Sequence, residues 1–361
     1  MDGLLDISKA SSVTGRSWKI ARPDYPWSFP CDHWAHRGYH MEWWYFTGHI
    51  KAFDEPGPLF GYQFTVFRIG LVPESPSTDL LMGHAAISDL YAQGHRFGDL
   101  IYRENAMLCQ FRDLPDEIIA WSLAPHGTSG CWLLRWNGGG FEFEMKDDEH
   151  SMAFCLSTLP SKPLVLHGSN GYIRKGRGRT AASQYYSFTR LVTTGTLTLD
   201  GRTWKVWGTS WMDKEFGSSQ LTEPQVGWDW FSLQLDDGRD LMLYLLRRKD
   251  GTANYRNGTL VEPNGRAHYL KASGRSVCCT DFWMSPSTKA IYPMRWTVDL
   301  PVEGLCLEVV PEFPDQENVS GIESIPSYWE GAVRVLSRDG KHMGRGYVEL
   351  TGYGENSRPN M

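Results

Sequence analysis

From Glu42 onward the chain alternates short apolar runs with turn signals, at 42–50, 61–69, 84–90, 107–111, 118–123, 131–136, 141–145 and 152–157. Runs recurring roughly every 8 to 20 residues, with no segment repeating its apolar positions at 3.6, predict an antiparallel meander closed into barrels or sandwiches. Several turns are explicit. Gly195 to Leu199 and Thr203 to Trp207 flank Asp200-Gly201, and Trp230 to Leu235 and Leu241 to Leu246 flank Asp236-Asp237-Gly238; both turn sequences reach positive φ at low cost. Asn264-Gly265 and Asp339-Gly340 predict two more. Ahead of the first run, Ser12 to Ala35, with Pro23, Pro26 and Pro30, reads as an extended arm.

The pattern also repeats weakly. Glu42-Trp43-Trp44, a turn and then Tyr62 to Arg68 parallels Asp229-Trp230-Phe231, a turn and then Leu241 to Arg247. In each half an acid, a Trp and a second aromatic precede an apolar strand ending in Arg, so each is expected to open one barrel. A chain of 361 residues exceeds what one core usually fills, which also favours two domains. The expected division is an arm over 1–35, an N-terminal domain over 36–217 and a C-terminal domain over 218–361, with the link near 216–224.

Hydrophobic content of 41% and charged content of 22% allow a packed core. The aromatic share changes the picture: 16 Trp, 16 Tyr and 16 Phe suit pleated strands and an aromatic-lined cavity for a large apolar small molecule. A net charge of −6 without a basic block excludes a nucleic-acid partner. Seven cysteines without a CxxC pair read as reduced thiols. Residues 1–22 lack the apolar core of a secretory signal, and no apolar stretch approaches the roughly 20 residues of a membrane span. A cytoplasmic protein with at most peripheral access to lipid is expected. No metal or cofactor is expected either: His33, His36, His40 and His49 lie in a Pro-flanked loop without a zinc-type pattern, and Gly138-Gly139-Gly140 precedes no helix that would cradle a phosphate. A Gly-x-Ser-x-Gly nucleophile turn is absent from the sequence.

Several strings occur in order between residues 42 and 353: Glu42-Trp43-Trp44-Tyr45-Phe46-Thr47-Gly48, Gly61-Tyr62-Gln63-Phe64-Thr65, His84-Ala85-Ala86, Tyr185-Tyr186-Ser187-Phe188-Thr189-Arg190, Trp211-Met212-Asp213, Gly227-Trp228-Asp229-Trp230-Phe231, Tyr328-Trp329-Glu330-Gly331 and Glu349-Leu350-Thr351-Gly352-Tyr353. Together they resemble the AttH-like and carotenoid 1,2-hydratase superfamily. The resemblance implies an all-β fold of two lipocalin-like antiparallel barrels in tandem, the first ending near the Trp-x-Asp motif. It implies a scaffold shared by different chemistries: carotenoid hydratases add water to a terminal isoprenoid alkene, and fungal relatives assist Diels–Alder cyclisations. One departure stands out. Close relatives read Trp-x-Asp-His-Glu, whereas Lys214 occupies the His position here, so a mechanism needing that imidazole fails in this chain.

Protonating an alkene requires a carboxylic acid kept neutral by burial, and aromatic faces to shelter the cation that forms. Asp213, between Trp211 and Phe216, is the expected general acid, the role the resemblance gives to the Asp of this motif. Tyr186 is a candidate for steadying a cation or orienting a water. Asp229 is a third catalytic candidate. Strand alternation places it beside Phe231, Leu233 and Leu235 and opposite Trp228, Trp230, Ser232 and Gln234, where pairing with Arg190 or Arg247 is the structural alternative. Trp44, Phe64, Gln184, Tyr185, Trp211, Trp228 and Trp230 are the expected substrate-binding residues, and His84 is a further candidate base. The expected activity is general-acid hydration or cyclisation of an isoprenoid or polyene; a pericyclase and a non-catalytic carrier of apolar ligands are the alternatives.

Overall fold

The computed structural model describes residues 17–359 apart from 55, 74–77, 179, 219–220, 271–275 and 356; residues 1–16 of the expected arm lie outside the described residues. The first sheet contains β1 (Met41–Ala52), β2 (Leu59–Ile69), β3 (Leu80–Asp89), β4 (Gly94–Arg103), β5 (Cys109–Phe111), β6 (Ile118–Leu123), β7 (Cys131–Trp136), β8 (Phe141–Asp147), β9 (Met152–Pro160), β10 (Val165–Leu166), β11 (Tyr172–Arg174), β12 (Ala182–Leu199) and β13 (Arg202–Gly217). Its order is β4-β3-β2-β1-β13-β12-β9-β8-β7-β6-β5, with β10 and β11 also on β12. The second contains β14 (Gln225–Leu235), β15 (Asp240–Arg248), β16 (Ala253–Val261), β17 (Ala267–Leu270), β18 (Ser276–Met284), β19 (Ile291–Leu300), β20 (Leu305–Pro311), β21 (Glu317–Asn318), β22 (Tyr328–Ser337) and β23 (His342–Leu350). Here the order is β17-β16-β15-β14-β23-β22-β20-β19-β18, with β21 on β22. Each antiparallel sheet curls into a lipocalin-like barrel, and the fold is all-β.

Alternation decides what each barrel contains. On β1 and β2, Trp44, Phe46, Tyr62 and Phe64 point into barrel one and pack with Trp132, Phe143 and Phe154. Trp43 and Tyr45 point the other way, toward barrel two. On β14, Phe231, Leu233 and Leu235 fill barrel two, leaving Trp228 and Trp230 on the face turned to barrel one. The weak sequence repeat becomes a structural one: Glu42 pairs with Arg68 between β1 and β2, as Asp229 pairs with Arg247 between β14 and β15. Register extends the parallel, since Trp43 lies opposite Glu215 and Trp230 opposite Glu349.

A polar seam joins the barrels. Buried Asp240 of barrel two accepts hydrogen bonds from Lys162 at 2.6 Å, Arg190 at 2.6 Å and Thr189 at 2.9 Å. Gln234 donates to the carbonyls of Thr189 and Ser210. Charges this buried are tolerated because they are paired and hydrogen-bonded. The arm, without strands but with turns at 23–24 and 29–30 and a single helical turn at Cys31–His33, runs along the ends of β12 and β13, where Trp27 meets Tyr186 and Phe216 edge-on. Among the described residues no helix is long and apolar enough to cross a membrane.

Candidate active site

Successive side chains of β13 point to opposite faces, and this separates two chemistries. Lys214 enters barrel one, where its ammonium faces Glu42 at 2.5 Å and stands 3.2 Å from the centre of the Trp44 ring. Arg68 also pairs with Glu42, and Arg68 in turn reaches Asp79 at 3.0 Å. Burial works against the Glu42 charge, but Lys214 and Arg68 outweigh it and hold this carboxyl well below the usual range. Burial pushes Lys214 down to about 7 despite Glu42. Asp213 and Glu215 point instead into a cavity of about 180 Å³ between the barrels.

The floor of that cavity is built by both barrels. Barrel one supplies Trp43 and Tyr45 from β1, Gln63, Thr65 and Phe67 from β2, Met82 and His84 from β3, and Tyr185 from β12. Barrel two supplies Trp228 and Trp230 from β14, Tyr244 and Leu246 from β15, Tyr328 from β22 and Glu349 from β23. One end is apolar, where Met41, Ile69, Met82 and Ile325 cluster. The other end is acidic.

Asp213 is buried and accepts from Tyr185 Oη at 2.5 Å, from Trp211 Nε1 at 2.6 Å and from Ser187 Oγ. Ser187 accepts from His167 Nε2 at 2.6 Å, and His167 Nδ1 meets Thr259 Oγ1 of barrel two at 2.8 Å. Trp230 Nε1 donates to Tyr185 Oη at 3.1 Å. Three donors favour the carboxylate, yet burial outweighs them and pushes Asp213 up to about 7. Glu349 accepts from Trp228 Nε1 at 3.0 Å. Burial raises it to about 7 too, with the nearby Asp213 adding to the rise and Lys175 opposing it. Behind it, register pairs Glu349 with Glu330, whose carboxyl accepts from Tyr45 Oη at 2.6 Å. Burial, then Glu349, drives Glu330 well above the usual range. Lys175 is the counter-charge, ion-paired with Glu215 and 5.5 Å from the Trp43 ring centre. Two carboxyls raised to about 7 in one cavity, Asp213 and Glu349, give an acid and a conjugate base together at neutral pH.

Of the residues expected from sequence, Asp213, Tyr185, Trp228, Trp230 and His84 line this cavity together. Trp211 stands behind it, bonded to Asp213 and edge-on to Trp230 at 6.2 Å. The others lie elsewhere. Trp44 and Phe64 belong to the packed core of barrel one, because alternation turns them away from barrel two. Tyr186 points the same way and lies 2.7 Å from His33 Nδ1. Gln184 donates to the Arg22 carbonyl, tying down the arm. Asp229 is held by Arg247 at 2.6 Å and Tyr353 at 2.9 Å on the inner side of barrel two, which is the structural alternative. His33 and His36 are spent on Tyr186, Asp32 and Glu42. Lys214, the departure at the His position, faces away from the cavity altogether.

Sequence reasoning missed Glu349, Glu330, Glu215 and Lys175. The weak repeat held a usable signal for two of them, since the acid opposite Trp43 on β13 has its counterpart opposite Trp230 on β23.

A sequence model of AttH-like proteins matches residues 20–353. The structure is similar to that of an AttH protein from Nitrosomonas europaea, 30% identical, with a TM-score of 0.81 over 93% of this chain and 99% of that one. It is also similar to kievitone hydratase from Nectria haematococca, 13% identical, TM-score 0.67, over 93% and 94%. CghA bound to Sch210972 is 10% identical, TM-score 0.51, over 87% and 89%. At the last two identities the likeness concerns the fold alone. Among proteins of curated function none matches the chain.

Proposed function

We propose that this chain, which belongs to the AttH-like family, is an enzyme that protonates an alkene of an apolar isoprenoid or polyene in the cavity between its barrels. The observation that carries the reading is Asp213, a carboxyl held near 7 by burial and surrounded by aromatic rings. The Asp213 proton passes to one alkene carbon as the π pair forms the new C–H bond. Trp43, Trp228 and Trp230 face the cation left on the neighbouring carbon. A water attacks that carbon and gives its proton to Glu349, so alkene and water become an alcohol; the proton then returns to Asp213, restoring both groups. Capture by a second alkene of the same molecule, with proton loss to Glu349, gives a ring instead. The likeness to a protein named a hydratase supports this class of reaction without specifying the substrate.

The apolar end of the cavity supports a second reading, a pericyclase that folds a polyene by shape alone. Purified protein incubated with acyclic isoprenoids and linear polyenes, followed by liquid chromatography and mass spectrometry, separates them. A product one water heavier, or an isomer, formed roughly 10² to 10⁴ times more slowly by Asp213→Asn, supports general-acid catalysis. An isomer formed equally fast by Asp213→Asn means pericyclic control. Stoichiometric binding without any product sinks both and leaves a carrier.

A further inference from the structure

His84 on β3 is buried against the cavity, and its Nε2 meets no protein partner among the described residues. Its tautomer follows from a chain of hydrogen bonds across the barrel interface. Asn318 Oδ1, an acceptor, lies 2.9 Å from His95 Nε2, so His95 carries its proton on Nε2, and its Nδ1 accepts from Ser88 Oγ at 2.9 Å. Asn318 Nδ2 donates to Gln63 Oε1 at 2.8 Å, and Gln63 Nε2 donates to Tyr328 Oη at 2.8 Å. Among the described residues His84 Nδ1, 2.9 Å away, is the acceptor that the single Tyr328 hydroxyl proton meets, so Tyr328 donates to it. That leaves His84 with its hydrogen on Nε2. A buried N–H without an acceptor is costly and uncommon in folded proteins.

Its position relates it to the acid. Register aligns Asp213 with Tyr45, Tyr45 with Thr65 and Thr65 with His84. All four line the cavity in one row across the sheet, with Asp213 and His84 three strand spacings, or roughly 14 Å, apart at the backbone. Around His84 stand three aromatic rings, Phe67 at 5.1 Å, Phe97 at 5.4 Å and Tyr328 at 5.6 Å between ring centres. A neutral acceptor oxygen finds a donor there, whereas an anionic one would face the Asp99 carboxyl that register sets opposite His84.

We propose that His84 Nε2–H orients the ligand, and that this ligand is an apolar molecule carrying a neutral acceptor oxygen, a ketone, phenol or ether, at the end remote from the alkene that Asp213 meets. The inference rests on the cavity reading above. Burial holds the imidazole down at about 3, so it stays a neutral donor under ordinary conditions.

The test uses the full chain and two probes, geranylacetone and the hydrocarbon in which its carbonyl is replaced by methylene, titrated against tryptophan fluorescence. The ketone is expected to bind about tenfold more tightly. His84→Phe removes that preference, and His84→Gln, which keeps an N–H, retains most of it. Nitrogen NMR of the histidine-labelled native chain, which needs no variant to fold, shows a protonated Nε2 on His84 whose resonance moves with the ketone and not the hydrocarbon. Measurable but equal binding of the two probes, or a ketone preference that survives His84→Phe, overturns the His84 assignment and leaves the cavity reading standing. A His84-dependent preference with no conversion of any alkene overturns the catalytic reading alone.

Discussion

Asp213 and Lys214 are adjacent in sequence and opposite in consequence. With Asp213 raised to about 7 in the folded chain, the folded state keeps its proton where the unfolded state has lost it. Stability is therefore full below about pH 4, falls as pH rises toward 7, and levels off above that. Asparagine has no charge to bury. Asp213→Asn should thus gain stability relative to the native chain between pH 4 and 7, by on the order of a few kcal/mol, as read by urea unfolding at several pH values; a gap independent of pH would refute the buried, titrating carboxyl. Lys214→Met removes one of the two cations that neutralise fully buried Glu42 and should cost about 3 to 5 kcal/mol. Because Lys214 faces barrel one, geranylacetone affinity should stay within about twofold, less than the energy of one ordinary hydrogen bond.

At the scale of strands, β2 meets β23 closely at Gly61 and Tyr347. A Cβ on Gly61 would lie 2.3 Å from Tyr347 Oη, so a glycine is required for two β-barrels to meet there. Gly61→Val should destabilise by about 1 to 3 kcal/mol, the usual cost of overpacking, and thermal unfolding of the variant checks it. Strand length was only partly readable. The Asp200-Gly201 hairpin was predicted with arms of 195–199 and 203–207, but β12 and β13 run back to Ala182 and on to Gly217. The extension contains Asp213, Lys214 and Glu215, which break an apolar run; they occupy a strand because both of its faces are covered, one by barrel one's interior and one by barrel two.

For the whole molecule, the cavity exists only while the barrels are joined, since Asp213 and Glu349 come from different sheets. Asp240→Ala strips Lys162 and Arg190 of a shared buried partner. It should cost about 3 to 5 kcal/mol and weaken geranylacetone binding, because the barrels loosen about the seam. Loss of stability with unchanged binding would show that the cavity does not depend on this contact.

Strand periodicity, the principal turns and the face shared by Trp228 and Trp230 were set by the sequence, because alternation and turn sterics act over a few residues. Asp213 could be named from its motif, and its burial among aromatics could be expected. Which face of each strand would be interior and which would meet the other barrel depended on tertiary packing, and so did the separation of Trp44, Phe64 and Tyr186 from the site. Glu349 and His84 acquire their meaning only there. They are far apart in sequence, and the raised carboxyl of one and the unmatched N–H of the other arise from desolvation by residues that only the folded, paired barrels bring together.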